Sequence, residues 1–564
     1  MKYLVKTEMD IPPVGASVDY LGSWCFKNPC LGISKNYSVM PYIWQNKYKL
    51  NQDGVKLNHI RKRLFGKFAC IMNEIHKLNL PTRYWRILTQ SWFDDYLNTF
   101  YDRYQNILLY KEKVGDFEYK TLEPARFQTP VDMYRMKRLC ENDPIFNEQL
   151  FSQILDIDYN KRIKFTYDIR HKCVDPKVRY SDKIILTNLY CSTETTIGIK
   201  DILNGYCEIS NYPQLEEGFE SYTLSSRRLI FDTIGDECID DFEKLFFKSL
   251  TVNTPKLIIE VYQDIRKYIL GNINLPKMMV TNVDHEALFL AQLIMAETIL
   301  GENKIIWGQH GPNYDMFYLY PTHNHEIENP DKFYCWGWAK DNDKYKKNVP
   351  SLSISEKRKY KKPNKNNGPL LFISNAGGRY VRILSSATTS TDFIKYSQNQ
   401  CRFVKSLEKS ISDAMSYRPY FNDYEQGIEK NIRQVKPNIN YIKGGNIDQL
   451  YNEFRLVVYD TPYTTLGNLL ALNKPNLLFF EKDHFIYNPK YSHVFEMLYI
   501  AGILHYCPIK AAEFVNTVFD NPTKWWNSDD VQNARSEYIK YFAYSHKDYT
   551  KIWADSLLND YNDN

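Results

Sequence analysis

Apolar residues recur at helical spacing over 58–79 (NHIRKRLFGKFACIMNEIHKLN), where Ile60, Leu64, Phe68, Ile71, Ile75 and Leu78 share one face and Pro81 ends the run. The stretch YWRILTQSWFDDYLNTFYDRYQNILLY (84–110) predicts a second long helix. Its aromatic residues fall on several faces, so much of its circumference must be buried. Ahead of both, Val18, Tyr20 and Leu21 predict a strand. Further along, the pattern changes to short apolar runs: DKIILTNLY (182–190), KLIIEVY (256–262) and PKMMVTNVD (276–284) predict buried strands. A helix over 285–300 and the strand KIIWGQHG (304–311) follow, and strand–helix–strand order predicts a βαβ unit in a parallel sheet. The pattern then restarts. PLLFISNAGGRY (369–380) is a strand entering a Gly-rich turn, FRLVVYD (454–460) a strand, TPYTTLGNLLALNKP (461–475) a turn and helix, and NLLFF (476–480) a strand. Residues 521–558 predict helices carrying Trp525, Trp526, Tyr541 and Trp553.

These elements divide the chain into an α/β domain with helical insertions (1–343), a basic linker (344–368), a second Rossmann-like α/β domain (369–520) and C-terminal helices (521–564). The expected fold class is α/β, with two Rossmann-like domains facing a cleft and a large helical N-terminal region. Ligands favour the carboxyl ends of parallel strands, so the cleft is the expected site.

Composition narrows the function classes. Of the 564 residues, 43% are apolar and 25% charged, and the net charge of +5 excludes bulk nucleic-acid binding. The 45 tyrosines, with abundant Lys, Asn and Ile, reflect a biased genome more than a function. The 11 cysteines form no CxxC pair, which predicts reduced thiols and a cytoplasmic protein. No signal peptide is expected from MKYLVKTEMDIPPVG. The longest apolar region, 287–300, is broken by Gln292 and Glu297 and is too short to span a bilayer, which predicts a peripheral role at any membrane. The Lys- and Arg-rich stretch 344–369 reads as a solvated linker or a strip that touches anionic lipid or polysaccharide.

Candidate chemistry concentrates at strand exits. In IIWGQHGPNYDMFY (305–318) an apolar strand ends in Gln309 and His310, bracketed by Gly308 and Gly311. Asp284, His285 and Glu286 stand where the preceding strand becomes a helix, a set of acid, base and nucleophile groups. Asp284 can equally cap that helix. In the second domain Asp460 ends a strand, and Thr461, Thr464 and Thr465 open a helix whose free N–H groups and dipole attract phosphate. Arg379 and Arg418 offer guanidinium forks for a phosphate or carboxylate. Asn468 follows on the same helix as the threonines. Two further groups read as incidental: the Asp156/Asp158 pair in ILDIDYN, and THNHEIE (322–328), taken as a polar loop rather than a metal site.

The blocks YLGSWC (20–25), LPTRYWRILTQSWFDDYLNTFYDRY (80–104), IIWGQHGPNY (305–314), TPYTTLGNLLALNKP, FEMLYIAGILHYCP (495–508) and WWNSDDVQNARSEYIKYFA (525–543) carry a family resemblance. The chain resembles the transferases encoded in bacterial surface-polysaccharide and O-antigen loci. That family is similar to two-domain GT-B glycosyltransferases, with kinship to capsule transferases using CMP-activated ulosonic acids such as Kdo. The resemblance implies a glycosyltransferase whose C-terminal domain binds a nucleotide-sugar donor and whose N-terminal domain binds a glycan or lipid-linked glycan acceptor. It implies no cofactor and no catalytic metal, and C-terminal helices that return to the first domain. Under it, Asp284, Glu286, His285 and His310 form the catalytic group, and Gln309, Gly311, Arg379, Arg418, Asp460, Thr464, Thr465 and Asn468 hold the donor. Polyol-phosphate transfer of the CDP-glycerol type and non-catalytic binding of a glycan or nucleotide are the rival readings. One departure stands out: Pro312 and Asp315 occupy positions where the family has glycine.

Overall fold

The computed structural model describes residues 1–156, 158–163, 179–210, 227, 238–286, 288–358, 363 and 366–563. Its first large sheet is built from β5 (Arg179–Leu186), β6 (Cys207–Ile209), β7 (Asn274–Thr281), β8 (Lys304–Gly308), β9 (Lys332–Cys335) and β10 (Lys346–Asn348), in the order β10-β9-β8-β7-β5-β6. The second comprises β11 (Leu370–Ile373), β12 (Ser416–Arg418), β13 (Asn440–Tyr441), β14 (Leu456–Tyr459), β15 (Asn476–Phe479) and β16 (Leu504–His505), in the order β13-β12-β11-β14-β15-β16. Both are parallel throughout. A small parallel sheet of β1 (Lys2–Val5), β2 (Ser17–Tyr20), β3 (Ser38–Val39) and β4 (Phe117–Glu118) precedes them. β11, β14 and β15 are buried at every position, as helices on both faces of a parallel sheet require. The architecture is α/β and GT-B-like, with two Rossmann-like domains.

The helical N-terminal region is dominated by α1 (Lys47–His76) and α2 (Thr82–Val114). The Asn46 side chain caps α1 by accepting from the Tyr48 and Lys49 amides. α2 is buried around most of its circumference and carries polar residues inward. Those residues grip the second domain: Asn98 Oδ1 accepts from Leu384 N at 3.2 Å, Arg103 donates to the Val381 carbonyl at 2.7 Å, and Asp95 pairs with Arg382 at 2.5 Å.

Three expectations change. Residues 256–262 are helical, in Lys256–Ile259 and Tyr262–Asn272, and not a strand. A short apolar run does not separate a buried strand from a buried helix, and Pro255 opens this one as a helix. The start of the expected linker belongs to the first domain: β10 is its edge strand, and Val349 and Leu352 are buried in that domain's core. Lys346 and Lys347 lie 3.2 Å from Asp343 and 3.9 Å from Asp560, so the basic strip is partly paired there; its positions 359–362 and 364–365 lie outside the described residues. Finally, 322–328 lies in a helix (Pro321–Glu328) with His323, His325 and Glu326 buried. The last helix, Tyr549–Asn562, packs on the first domain, where Asp560 meets Lys332 and the Tyr334 hydroxyl, each at 2.5 Å. Among the described residues no helix is long and apolar enough to cross a membrane.

The chain leaving β8 docks on the second domain. Tyr318 N donates to the Ile486 carbonyl and Asn488 N to the Met316 carbonyl. Asp315 adopts φ +57°, the left-handed region that glycine occupies readily and Asp tolerates, and its carboxylate accepts from the Tyr491 hydroxyl at 2.7 Å. Pro312 leans on the Thr464–Ala471 helix at Gly467, where a Cβ would lie 2.7 Å from the proline ring. Gly467→Ala therefore forces the two domains apart locally. We expect a loss of about 1–3 kcal/mol in denaturant unfolding, largely restored by Pro312→Gly in the same chain. Equal damage in the single and double variants would contradict this contact.

Candidate active site

In doubly wound sheets, ligands bind outside the carboxyl ends of the strands where the strand order reverses. The first sheet reverses between β5 and β7, the second between β11 and β14. Residues leaving these four strands line two cavities. One of about 290 Å³ is walled by Tyr190, Glu286, His310, Lys137, Arg382 and Thr464 among others. The other, about 490 Å³, is walled by Asn375, Arg418, Lys443, Thr461, Thr464 and Thr465 among others. Tyr463 and Thr464 line both, so the cavities meet at the start of the Thr464–Ala471 helix.

The turn after β7 and the exit of β8 converge on the first cavity. His310 Nε2 lies 3.0 Å from Glu286 Oε1, and Lys137 Nζ is 3.9 Å from the other Glu286 oxygen. His310 Nδ1 is 2.8 Å from the Tyr314 hydroxyl, which also contacts Glu326. Burial alone would raise the pKa of Glu286, but the His310 hydrogen bond and the Lys137 charge hold it well below the usual carboxylate range. Burial alone would lower His310, yet its hydrogen bond to Glu286 and the charge of Glu326 raise it. Glu326, only 1% exposed, is likewise favoured by burial as an acid, but contact with His285 and the nearby His310 bring it down to about 2. His323 and His325, buried beside it, are pushed down by desolvation to about 4 and about 3 and stay neutral. His285 stacks on Trp307 at a centroid distance of 4.5 Å and lies 3.2 Å from Glu326. His285, His310 and Glu326 each present one potential metal-ligand atom, all within 4.8 Å of one another.

The predicted residues divide. Glu286, His310 and Gly311 line the first cavity, and Arg418, Thr464 and Thr465 the second. Asp284 is engaged elsewhere: it accepts from Thr187 at 2.5 Å and Asn188 at 2.9 Å, tying the ends of β5 and β7 together. Gln309 is fully buried and clamps its own turn, donating to the Gly311 carbonyl and accepting from Trp336 N and Trp338 Nε1. It thereby sets His310 at the cavity rim. Arg379 faces away, with both terminal nitrogens on Glu8 and one 3.2 Å from Glu425. Asp460 is buried behind the helix start, accepting from Tyr396 at 2.6 Å and Gln400 at 2.7 Å. Asn468 is buried one turn along the same helix and lines neither cavity. Arg418 is held by the carbonyls of Gly444 and Gly445.

The structure adds Lys137, Tyr190, Tyr314, Glu326 and Arg382. Tyr314 and Glu326 sit in segments the sequence had already singled out; Lys137 and Arg382 carry no local signal. The Thr464–Ala471 helix begins at Tyr463 with no side-chain cap among the described residues, and Tyr463 and Thr464 at its start line both cavities.

A protein-family model described as LIC12162 family transferase matches residues 4–557. The chain belongs to that family, and the family is one of transferases. No curated protein matches the chain. Among solved structures, the S. aureus MnaA–UDP complex aligns at TM-score 0.39 and 10% identity over 67% of this chain and 97% of its own. UDP-GlcNAc 2-epimerase from Neisseria meningitidis bound to UDP-GlcNAc aligns at TM-score 0.37 and 9% identity, over 67% and 100%. The wall teichoic acid polymerase TagF aligns at 0.32 and 10% identity, over 67% and 89%. Likeness this distant carries no argument about the substrate of a family member such as this one.

Asp460 offers a test of the second-domain half. Burial pushes its carboxyl up from 3.8 to about 7. The folded chain therefore binds a proton that the unfolded chain has lost between these values, and stability falls as pH rises from about 4 to about 7. Asp460→Asn keeps an acceptor for Tyr396, and the Gln400 amide can turn its oxygen, otherwise without a hydrogen-bond partner, to the new amide. Thermal unfolding should show the variant gaining stability on the wild type as pH rises from 5 to 8, by at most about 3 kcal/mol. A pH-independent difference would place the wild-type carboxyl outside this range.

Proposed function

We propose that the protein is a glycosyltransferase of bacterial surface-polysaccharide synthesis, moving a sugar from a nucleotide donor to a glycan or lipid-linked glycan acceptor. A CMP-linked ulosonic acid such as Kdo is the donor class we favour. The observation that carries the reading is the meeting of the two cavities at Tyr463 and Thr464. A phosphate on the free N–H groups of that helix start would lie on the wall that Glu286 and His310 also line. Helix N-termini hold phosphate through aligned N–H groups and the dipole, and this stabilises the negative charge left on a departing nucleotide.

The charge around the larger cavity supports this donor class. Its described lining offers Arg418 and Lys443 as cations, set against Asp423 and Glu429, and Lys443 lies 3.1 Å from Glu429. Arg379 and Arg382 are already engaged by carboxylates. The helix start suits the single phosphate of a CMP-linked donor, and Arg418 or Lys443 its carboxylate. In the smaller cavity Glu286, ionised at any physiological pH, receives the proton of the acceptor hydroxyl as the new bond forms, and His310 holds its orientation. Asp284 is left out of this role because Thr187 and Asn188 occupy it.

Thermal-shift measurements with CMP, CDP, UDP, GDP and dTDP test the donor class. CMP should stabilise the fold in proportion to the logarithm of its concentration over its Kd, and a response to UDP or GDP instead would overturn the ulosonic-acid reading. Glu286→Gln should keep the CMP response and lose at least about 100-fold in turnover. Retained turnover would remove Glu286 from the reaction. A phosphodiester in the product would identify a polyol-phosphate transferase, and nucleotide binding with no turnover of any donor a binding protein.

A further inference from the structure

The same cluster has the make-up of a metal-ion site in the wall of the smaller cavity. His285 is fully buried, and neither of its ring nitrogens has an aligned hydrogen-bond partner among the described residues, although Nε2 stands 3.2 Å from Glu326 Oε2. A buried imidazole left so costs on the order of 1–3 kcal/mol, so a site that keeps one needs a reason. His310 Nδ1 stands 3.9 Å from the same carboxylate oxygen. Tetrahedral zinc, with bonds near 2.0–2.1 Å, sets its ligand atoms about 3.3 Å apart. One observed edge matches that spacing, the second, at 3.9 Å, needs to close by about half an ångström, and the third, between the two histidines, is at most 4.8 Å.

The surroundings match as well. A metal-bound histidine usually donates its other N–H to a carboxylate, which fixes the tautomer and orients the ring. His310 does so here, with Nε2 3.0 Å from Glu286. The Tyr314 hydroxyl contacts both His310 Nδ1 and Glu326, closer than a tetrahedral edge, so it would shift on binding, and it or a substrate oxygen that displaces it would complete the shell. Two imidazoles and one carboxylate with a further oxygen are a ligand set that zinc takes. The charges also balance, since Glu326 and Glu286 supply two negative charges to one divalent ion. The ligands come from three separate elements: His285 from the turn after β7, His310 from the exit of β8, and Glu326 from the Pro321–Glu328 helix.

We infer that His285 Nε2, His310 Nδ1 and Glu326 form a binding site for a divalent transition-metal ion, zinc the best fit, in place of the metal-free site that a GT-B resemblance implies. The ion would join the three elements and sit in the wall of the smaller cavity, through which His310 and Glu326 reach the substrate space.

Chelator-stripped full-length protein, titrated with zinc against an indicator dye, should take up one equivalent per chain. Cobalt(II) should give the visible bands of a tetrahedral N/O site. His310→Asn, whose side chain is 23% exposed and so is readily replaced, and Glu326→Gln should weaken uptake at least tenfold. Glu286→Gln should weaken it by about 10–100-fold through the His310 tautomer. Circular dichroism of each stripped variant separates lost ligands from lost fold. No zinc or cobalt uptake by the wild type, or wild-type uptake by folded His310→Asn and Glu326→Gln chains, overturns the inference. Because uptake is read without turnover, either outcome leaves the transfer reading to its own tests.

Discussion

A single buried carboxylate organises the site. Glu326 is 1% exposed and brings together His285, His310 and Tyr314, which arrive from two different strand exits. An ionised group so deep is tolerated only when positive charge and hydrogen bonds compensate it. That requirement fixes where the β8 exit can run and how the turn after β7 is oriented. Glu286 and His310 are consequences of the arrangement: they face the cavity because Glu326 and Tyr314 hold the imidazole from behind.

The second domain is locked to this centre at three levels. Polar groups on α2 grip the 381–384 backbone and Arg382, the Met316–Tyr318 segment pairs with residues 486–488, and Pro312 rests on Gly467. Each contact is short and directional, so the strand ends of the two sheets face each other at a set separation. The helix start and the acid–base pair are thus placed together by packing between the domains, to which Pro312 and Gly467 contribute from within the two motifs. Changing a domain contact would therefore move both halves of the site at once.

Much of the fold was legible because parallel sheets announce themselves. The buried runs at 182–186, 276–281, 305–308, 370–373, 456–459 and 476–479 are strands, and the exits of all but the last carry the site. The run at 256–262 misled because periodicity over so few residues is silent on strand against helix. The site was half legible. Glu286, His310, Thr464 and Thr465 stand at strand exits, where a sequence motif and a cleft coincide. Asp284, Gln309, Arg379 and Asp460 look alike in sequence but spend their hydrogen bonds inside the protein, which only their partners reveal. His323, His325 and Glu326 read as a polar loop because nothing local shows that three polar residues on one short helix are buried together. The Asp at 315 was read as a departure from a glycine pattern; its φ of +57° shows that the backbone conformation is one glycine adopts readily.

The account stands on the two cavities acting as one. Its most direct test is a crystal structure of the protein with CMP bound. The account predicts the phosphate against the first N–H groups of the Thr464–Ala471 helix, with the open side of that phosphate facing Glu286 and His310. A nucleotide seated away from that helix start, or one whose phosphate points out of the shared cavity, would contradict it.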